Sequence, residues 1–379
     1  MTEMEMIERG CDAATRAEEM AAKRRRIEAL LDEGGYDALV ISRHENLAWV
    51  SAGVVDVRVG LLRETGPASV MIGRDGRTYL LTTNNEERRL GDEEFAGLGY
   101  EAVVQPWYGN DVAGRVAQLA GGGKVAADAP LAGCAVVSLQ GLREELMASE
   151  VLRYRWAGRQ AAEAATEVLL ALRPGMSERV MQGMLAERLM SVGMLPSVFL
   201  TAVDERIRQY RHAVPRGGVL ERFGMVGFCA RQFGLTISMT RLVHFGAMPA
   251  ELEEKFRVVA AVNARLQAST RTGATGDVLF AEARAGYAAG GYAGEETRHH
   301  QGGATGYGER EWVARPGGGE VVRRAQAFAW NPNLQGAKVE DTVVHVDGVV
   351  ELLTGTPRLP EVRTEWAGKE YVSAGVLVV

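Results

Sequence analysis

The segment "RHHQGGATGYGEREW", residues 298–312, gathers two adjacent histidines, a glycine cluster and a Glu-Arg-Glu run into one short stretch. Imidazole is the side chain whose ordinary pKa lies nearest neutrality. Acid–base chemistry would therefore draw on the chain's six histidines: His44, His212, His244, His299, His300 and His345. His212 follows "RQYR" and precedes "AVPRGG" on a polar loop, a setting that carries function more often than a core does. His299 and His300 precede Gly302, Gly303 and Gly306, where missing side chains would let the backbone approach a ligand. A glycine-rich loop with a satisfied histidine fits that stretch equally well. A phosphate loop does not, because no Gly-Lys-Ser/Thr follows. His44, before Glu45-Asn46, reads as a capping or surface residue in a turn. His345 in "TVVHVDG" reads as a structural residue on an alternating strand, and His244 ends a strand without deciding between roles. Glu340-Asp341 opens a strand after a Gly-containing loop, either as an exposed edge device or as an active-site base.

These residues need a scaffold, and the chain's 379 residues suit two domains. The composition, 46% hydrophobic and 24% charged, is that of an ordinary soluble globular protein. The net charge of −6 is dispersed, and the basic run Lys23–Arg26 is flanked by Glu18, Glu19 and Glu28, so it reads as a solvated helix face, not a nucleic-acid footprint. Cys11, Cys134 and Cys229 lack CxxC spacing, which argues against a disulfide framework or thiolate zinc site and fits a reducing cytoplasm. The acidic N-terminus lacks the apolar core of a signal peptide. No window approaches about 18 uninterrupted apolar residues, so no membrane span is expected.

Periodicity predicts a helix over 13–33 ending at Gly34-Gly35, a strand in "YDALVIS", and an Asn-containing turn in "HENLAWVSAG". Asp75-Gly76 between two β-rich runs predicts a hairpin, and "KVAADA" another strand. This alternation implies an α/β N-terminal domain over 1–146. From residue 147 to 379 the order becomes two helices, a β pair, two helices, then more β, which suggests a pseudo-repeat. Arg173-Pro174-Gly175 stops the first helix and Ser177 caps the second.

Taken in order, a loop histidine, a hairpin ending in Thr-Arg, a histidine with glycines and a Glu-Asp opening the last strand resemble the creatinase / proline aminopeptidase / prolidase family. "NLAWVSAG", "ASEVLRYRWAGRQAAEAA" and "RPGMSE" resemble segments upstream in that family. The resemblance implies an α/β N-terminal domain followed by an α+β pita-bread catalytic domain, and a homodimer. The family's metallopeptidases hold two divalent ions with two aspartates, a histidine and two glutamates. At the matching positions stand Gly227, Ser238, His300, Asn331 and Glu340. Only His300 and Glu340 remain ligand-like, too few anionic oxygens for hard dications. No metal and no cofactor are expected.

Creatinase has the same fold and works without metal. By that resemblance His212 is the proton shuttle and Glu340 lies in the site. Arg310-Glu311 is similar to an Arg-Glu pair of the subgroup, and Arg58 in "VDVRVG" is the nearest match for an arginine reaching a partner subunit's site. The creatinase hairpin glutamate maps to Thr240, so creatine is not the expected substrate.

One imidazole can take a proton from water and pass it to a leaving nitrogen, for roughly 10²–10⁴-fold. His212 is assigned that role, Glu340 the steadying of the imidazolium, and His300 or His299 orientation of substrate or oxyanion. Arg241 and Arg310 would grip a carboxylate, with Arg58, Glu311 and Asn331 as further substrate contacts. The expected function is metal-independent hydrolysis of a C–N bond (amide, ureido or guanidino) in a small carboxylate-bearing substrate. Alternatives are a metal-free lyase, isomerase or decarboxylase, a non-catalytic ligand-binding pseudopeptidase, and an Xaa-Pro metallopeptidase. The expected partners are a small molecule and a second copy of the chain, with no nucleic acid and no membrane.

Overall fold

The helix Ala13–Gly34 begins where the Asp12 carboxylate accepts from the Thr15 amide at 2.9 Å, and ends at Gly35 in the left-handed region, φ +60°. A computed structural model describes residues 12–379, so Cys11 and the acidic N-terminal segment lie outside the described residues. The chain divides into two compact units, Met1–Arg143 with Ala148–Glu150, and Glu144–Met147 with Val151–Val379. Among the described residues no helix is long and apolar enough to cross a membrane.

In the first unit, Glu19, Lys23, Ile27 and Leu31 recur every four residues and form the buried face of the opening helix. The basic run is therefore not a fully solvated face. Lys23 is completely buried, with Nζ 2.5 Å from Glu19, 2.8 Å from Glu150 and 2.8 Å from the Trp49 carbonyl. Flanking glutamates looked like solvent-side partners in the sequence; one of them is the interior counter-ion.

The first unit's sheet runs in the order Glu101–Gln105, Thr78–Thr83, Thr65–Gly73, Ala38–Arg43, Val125–Ala127, Ala135–Val136. The hairpin at Asp75-Gly76 forms as the sequence implies, with Ile72 opposite Thr78. "HENLAWV" does not make the expected turn but a short helix, His44–Val50. Asp128 accepts hydrogen bonds from the Ser42 and Arg43 amides and from Asn46 Nδ2, which fixes the entry to that helix. Leu47, Trp49 and Val50 then bury its apolar side, and His44 is buried rather than on the surface.

In the second unit Ser177 caps the helix Glu178–Ser191 through the Val180 amide at 3.3 Å. The strands Val376–Val378, Leu235–His244, Phe223–Gln232 and Leu195–Phe199 lie side by side in that order, with Ala202–Val203 also on Phe223–Gln232. The helices Ala250–Ser269 and Gly276–Ala289 follow. They lead into a second sheet ordered Trp312–Val313, Gly302–Thr305, Ala325–Trp330, Asp341–Val346, Val349–Leu352. Phe256, Val262, Leu279, Phe328 and Trp330 are among the buried residues of this unit's core.

The two sheets touch through backbone. Thr240 N donates to Glu340 O at 3.1 Å, and the Ser238 amide donates to Thr342 Oγ1 at 2.9 Å. Gly302-Gly303 serves close packing within the second sheet. A Cβ on Gly302 (φ +105°) would lie 2.0 Å from the Ala329 carbonyl, and one on Gly303 2.1 Å from that of Trp312. These glycines admit neighbouring strands, where the sequence suggested a ligand.

Removing the Lys23 ammonium would leave interior carboxylates short of their counter-charge. Lys23→Ala is expected to lower stability by roughly 3–5 kcal/mol, measured by denaturant unfolding at neutral pH. A loss below about 1 kcal/mol would contradict this account.

Candidate active site

His212 stands on the loop just after the short helix Glu205–Gln209, and His299 and His300 directly precede the strand Gly302–Thr305. The fold brings these loops together. His299 Nε2 lies 2.9 Å from His212 Nε2, and the rings of His299 and His300 stack with centroids 4.3 Å apart. Asn333 holds the other side of His299, its Nδ2 being 3.0 Å from Nδ1. Arg211 in turn donates to Asn333 Oδ1 and to its main-chain carbonyl, and pairs with Glu295.

That order assigns the protons. With its oxygen on Arg211, Asn333 donates to His299 Nδ1. His299 then carries its proton on Nε2 and gives it to His212 Nε2, which leaves the His212 proton on Nδ1. Burial is the main cause that lowers the basicity of all three imidazoles. His299 falls to about 3, aided by His300 and Lys338, and His300 to about 4, aided by Arg310 and His212. His212 is also lowered, by burial, Lys338 and Arg310, with Glu340 opposing. All three rings are neutral at pH 7.

Glu340 is 4% exposed. Burial raises its pKa, but Lys338 and Arg310 more than reverse that and bring it to about 2. Lys338 Nζ sits 2.8 Å from Oε2, which also accepts from Thr240 Oγ1 at 2.7 Å, while Arg310 Nη2 lies 3.7 Å from Oε1. Arg310 Nη1 reaches Ser238 Oγ at 3.3 Å, and Ser238 contacts Cys229 Sγ at 3.1 Å. Burial pushes the Cys229 thiol up to about 11, so it is no nucleophile here.

Several expected roles change. The hydrogen-bond partner of the His212 ring is His299, not Glu340, whose Oε2 is taken by Lys338 and Thr240. Arg241 does not grip substrate: it is buried, bonded to Asp341 Oδ1 at 2.8 Å, to Thr356 Oγ1 at 3.0 Å and to the Thr240 carbonyl at 2.7 Å. It locks the hairpin to the strand Asp341–Val346. Glu311 is buried and accepts from the Gly308 amide at 3.0 Å, shaping the loop instead of facing substrate. Arg58 lies in the first unit and is held by the Asp56 carboxylate. His244 bonds the Gly246 carbonyl and His345 the Arg323 carbonyl, so both are structural. Asn331 is buried, with Oδ1 lacking a hydrogen-bond partner.

Lys338, Asn333 and Arg211 were missed. Lys338 had a legible signal, since Lys-x-Glu in extended chain puts both side chains on one face. Asn333 was not singled out in its strand-like segment, and Arg211 read only as context for His212.

Residues 153–347, just over half of the chain, match metallopeptidase family M24. The chain belongs to that family. Similar solved structures include an Xaa-Pro dipeptidase from Bacillus anthracis, with 18% identity, TM-score 0.72, and coverage of 95% of this chain and 100% of that one. Dipeptidase PepE from Mycobacterium ulcerans gives 19%, 0.74, 95% and 98%. X-Pro aminopeptidase from Thermotoga maritima MSB8 gives 19%, 0.72, 94% and 99%. No curated protein matches the sequence. The fold is thus that of prolidases, an α/β N-terminal domain with a pita-bread domain after it, as the resemblance implied.

The family's pair of divalent ions does not fit the residues present. A side chain on Gly227 would meet Thr240 Oγ1 at 2.9 Å, and Ser238 and Asn331 supply no charge. The one carboxylate of the set, Glu340, is engaged by an ammonium, a guanidinium and a hydroxyl.

Two measurements check this electrostatic picture. Lys338→Met removes the closest cation from a buried carboxylate and is expected to cost roughly 3–5 kcal/mol in denaturant unfolding. NMR titration should place His299 near 3 and His300 near 4, against an ordinary 6.5. The unfolded chain then takes up protons that the folded chain refuses, so stability falls as pH drops from about 6.5 toward those values. Imidazoles titrating at or above 6.5 would contradict it.

Proposed function

We propose that this M24-family member is a hydrolase that works without the family's two divalent ions, cleaving a C–N bond in a small carboxylate-bearing substrate through imidazole acid–base chemistry. The observation that carries the reading is the Glu340 carboxylate, neutralised by Lys338 and Arg310 where the family's fold implies metal ions. Three neutral imidazoles beside that ion group supply the proton chemistry.

In the resting tautomer His212 is a donor through Nδ1. Turning the Asn333 amide, with Arg211 keeping its 3.1 Å bond to the Asn333 main-chain oxygen, lets Asn333 Oδ1 accept a hydrogen bond from the other His299 tautomer, protonated on Nδ1. In that state the proton between the rings sits on His212 Nε2, solvent has carried the former His212 Nδ1 proton to His299 Nδ1, and His212 Nδ1 is free to take a proton from water. The attacked carbon becomes tetrahedral, His212 returns the proton to the departing nitrogen, and the C–N bond breaks. Arg310 and Lys338 keep the site one positive charge in excess of Glu340, which favours an anionic substrate and steadies a developing oxyanion. The orphaned Asn331 Oδ1 supplies an acceptor for a substrate N–H.

The test is turnover of small amides, ureido and guanidino acids, with products identified by mass spectrometry. His212→Ala should lower kcat/KM by roughly 10²–10⁴-fold with the fold unchanged by circular dichroism. Exhaustive EDTA treatment should leave wild-type activity intact. Activity that disappears with EDTA and returns with two equivalents of a divalent ion would overturn the proposal.

A further inference from the structure

The three imidazoles also form a ligand set. One ring nitrogen from each of His212, His299 and His300 lies within 4.8 Å of the other two. None of these groups except His300 matches a position of the family's metal pair, and the set contains no carboxylate. His300 Nδ1 is buried without a hydrogen-bond partner, a polar atom the protein itself leaves unsatisfied.

We propose that His212, His299 and His300 bind one transition-metal ion of the zinc, copper or nickel class, and that this ion inhibits the enzyme. Imidazole suits such ions, whereas magnesium, calcium and manganese want carboxylate and water oxygens. Three histidines with a fourth position left to water is a recognised zinc arrangement. The nearby charges sharpen the selection. Lys338 and Arg310 outweigh Glu340 by one, so an ion held mainly by charge is repelled, while one that bonds nitrogen directly is still taken.

Between His212 and His299 the geometry requires little movement. Two nitrogens on a tetrahedral zinc stand about 3.3 Å apart, and His212 Nε2 and His299 Nε2 are now 2.9 Å apart with a proton between them. Metal entry needs both nitrogens free, so His299 shifts its single proton from Nε2 to Nδ1, and binding weakens only where acid protonates the imidazoles. That proton on Nδ1 faces Asn333, which requires the amide to turn its oxygen inward. An aspartate at 333 would accept that proton without turning and make the carboxylate–histidine–metal arrangement that strengthens such sites.

The inhibitory half rests on the function proposed above, because the ion would occupy the nitrogens that move the proton. The binding half does not. Calorimetric titration of the chelator-treated full chain with Zn²⁺ at pH 7.5 should give one saturable equivalent, and Mg²⁺ none. His299→Ala should weaken Zn²⁺ binding at least about tenfold, and Asn333→Asp should strengthen it about tenfold. The gain-of-affinity variant keeps the test decisive if the alanine variant folds poorly. With substrate, one equivalent of Zn²⁺ should abolish turnover and EDTA should restore it. Absence of saturable Zn²⁺ binding, or an isotherm unaltered by both variants, overturns the metal site whatever the enzyme hydrolyses. Loss of activity in EDTA without added zinc overturns the function reading instead.

Discussion

A carboxylate cannot stay ionised in a protein interior without compensating charge, and Glu340 receives it from Lys338 and Arg310 together with the Thr240 hydroxyl. The rest of the second unit is arranged around that requirement. Thr240 reaches Glu340 only because its own backbone amide bridges to the Glu340 carbonyl, joining the two sheets. Arg241, one residue on, clamps the same junction through Asp341 and the Thr354–Thr356 segment. The hairpin and the strand Asp341–Val346 therefore form one wall, and the histidine loops rest beside it.

That wall explains how a metallopeptidase fold can carry a different electrostatic plan. Oxygen-rich anionic sites attract hard dications. Here glycine, serine and asparagine stand at three of the corresponding positions, and the remaining carboxylate already has its cations from within the chain. The resulting local excess of positive charge adds to burial, the main cause, in keeping the three imidazoles neutral. Neutral imidazoles are what proton transfer near pH 7 and coordination of nitrogen-preferring metals both need. One charge balance thus underlies both proposals, the anionic substrate and the nitrogen-preferring ion, and adds to burial in keeping the histidines neutral.

Most elements could be read from the chain, because periodicity and punctuation are local. The helix 13–34, the Asp75-Gly76 hairpin, the Ser177 cap and the long hairpin 223–244 each follow from side-chain spacing or turn residues within a few positions. The family resemblance carried His212, His300 and Glu340 to a shared site because their order along the chain was enough. Failures came where a residue's role depended on a distant neighbour. Lys23 looked solvated until Glu150 was brought to it; Arg241 looked available until Asp341 was. The helix His44–Val50 looked like a turn because Asp128, which fixes its start, lies far away in sequence.

By itself the sequence determined the fold class, the order of elements and the shortage of anionic ligands, since these depend on residue type, periodicity and count. Only the tertiary structure decided who pairs with whom: that Lys338 and Thr240 take Glu340, that His299 rather than Glu340 holds the His212 ring, and that Asn333 sets the protonation of both. Pairing depends on distances of about 3 Å between groups far apart in the chain. Local sequence patterns constrain directions along an element, and contain no information about which loop will arrive opposite it.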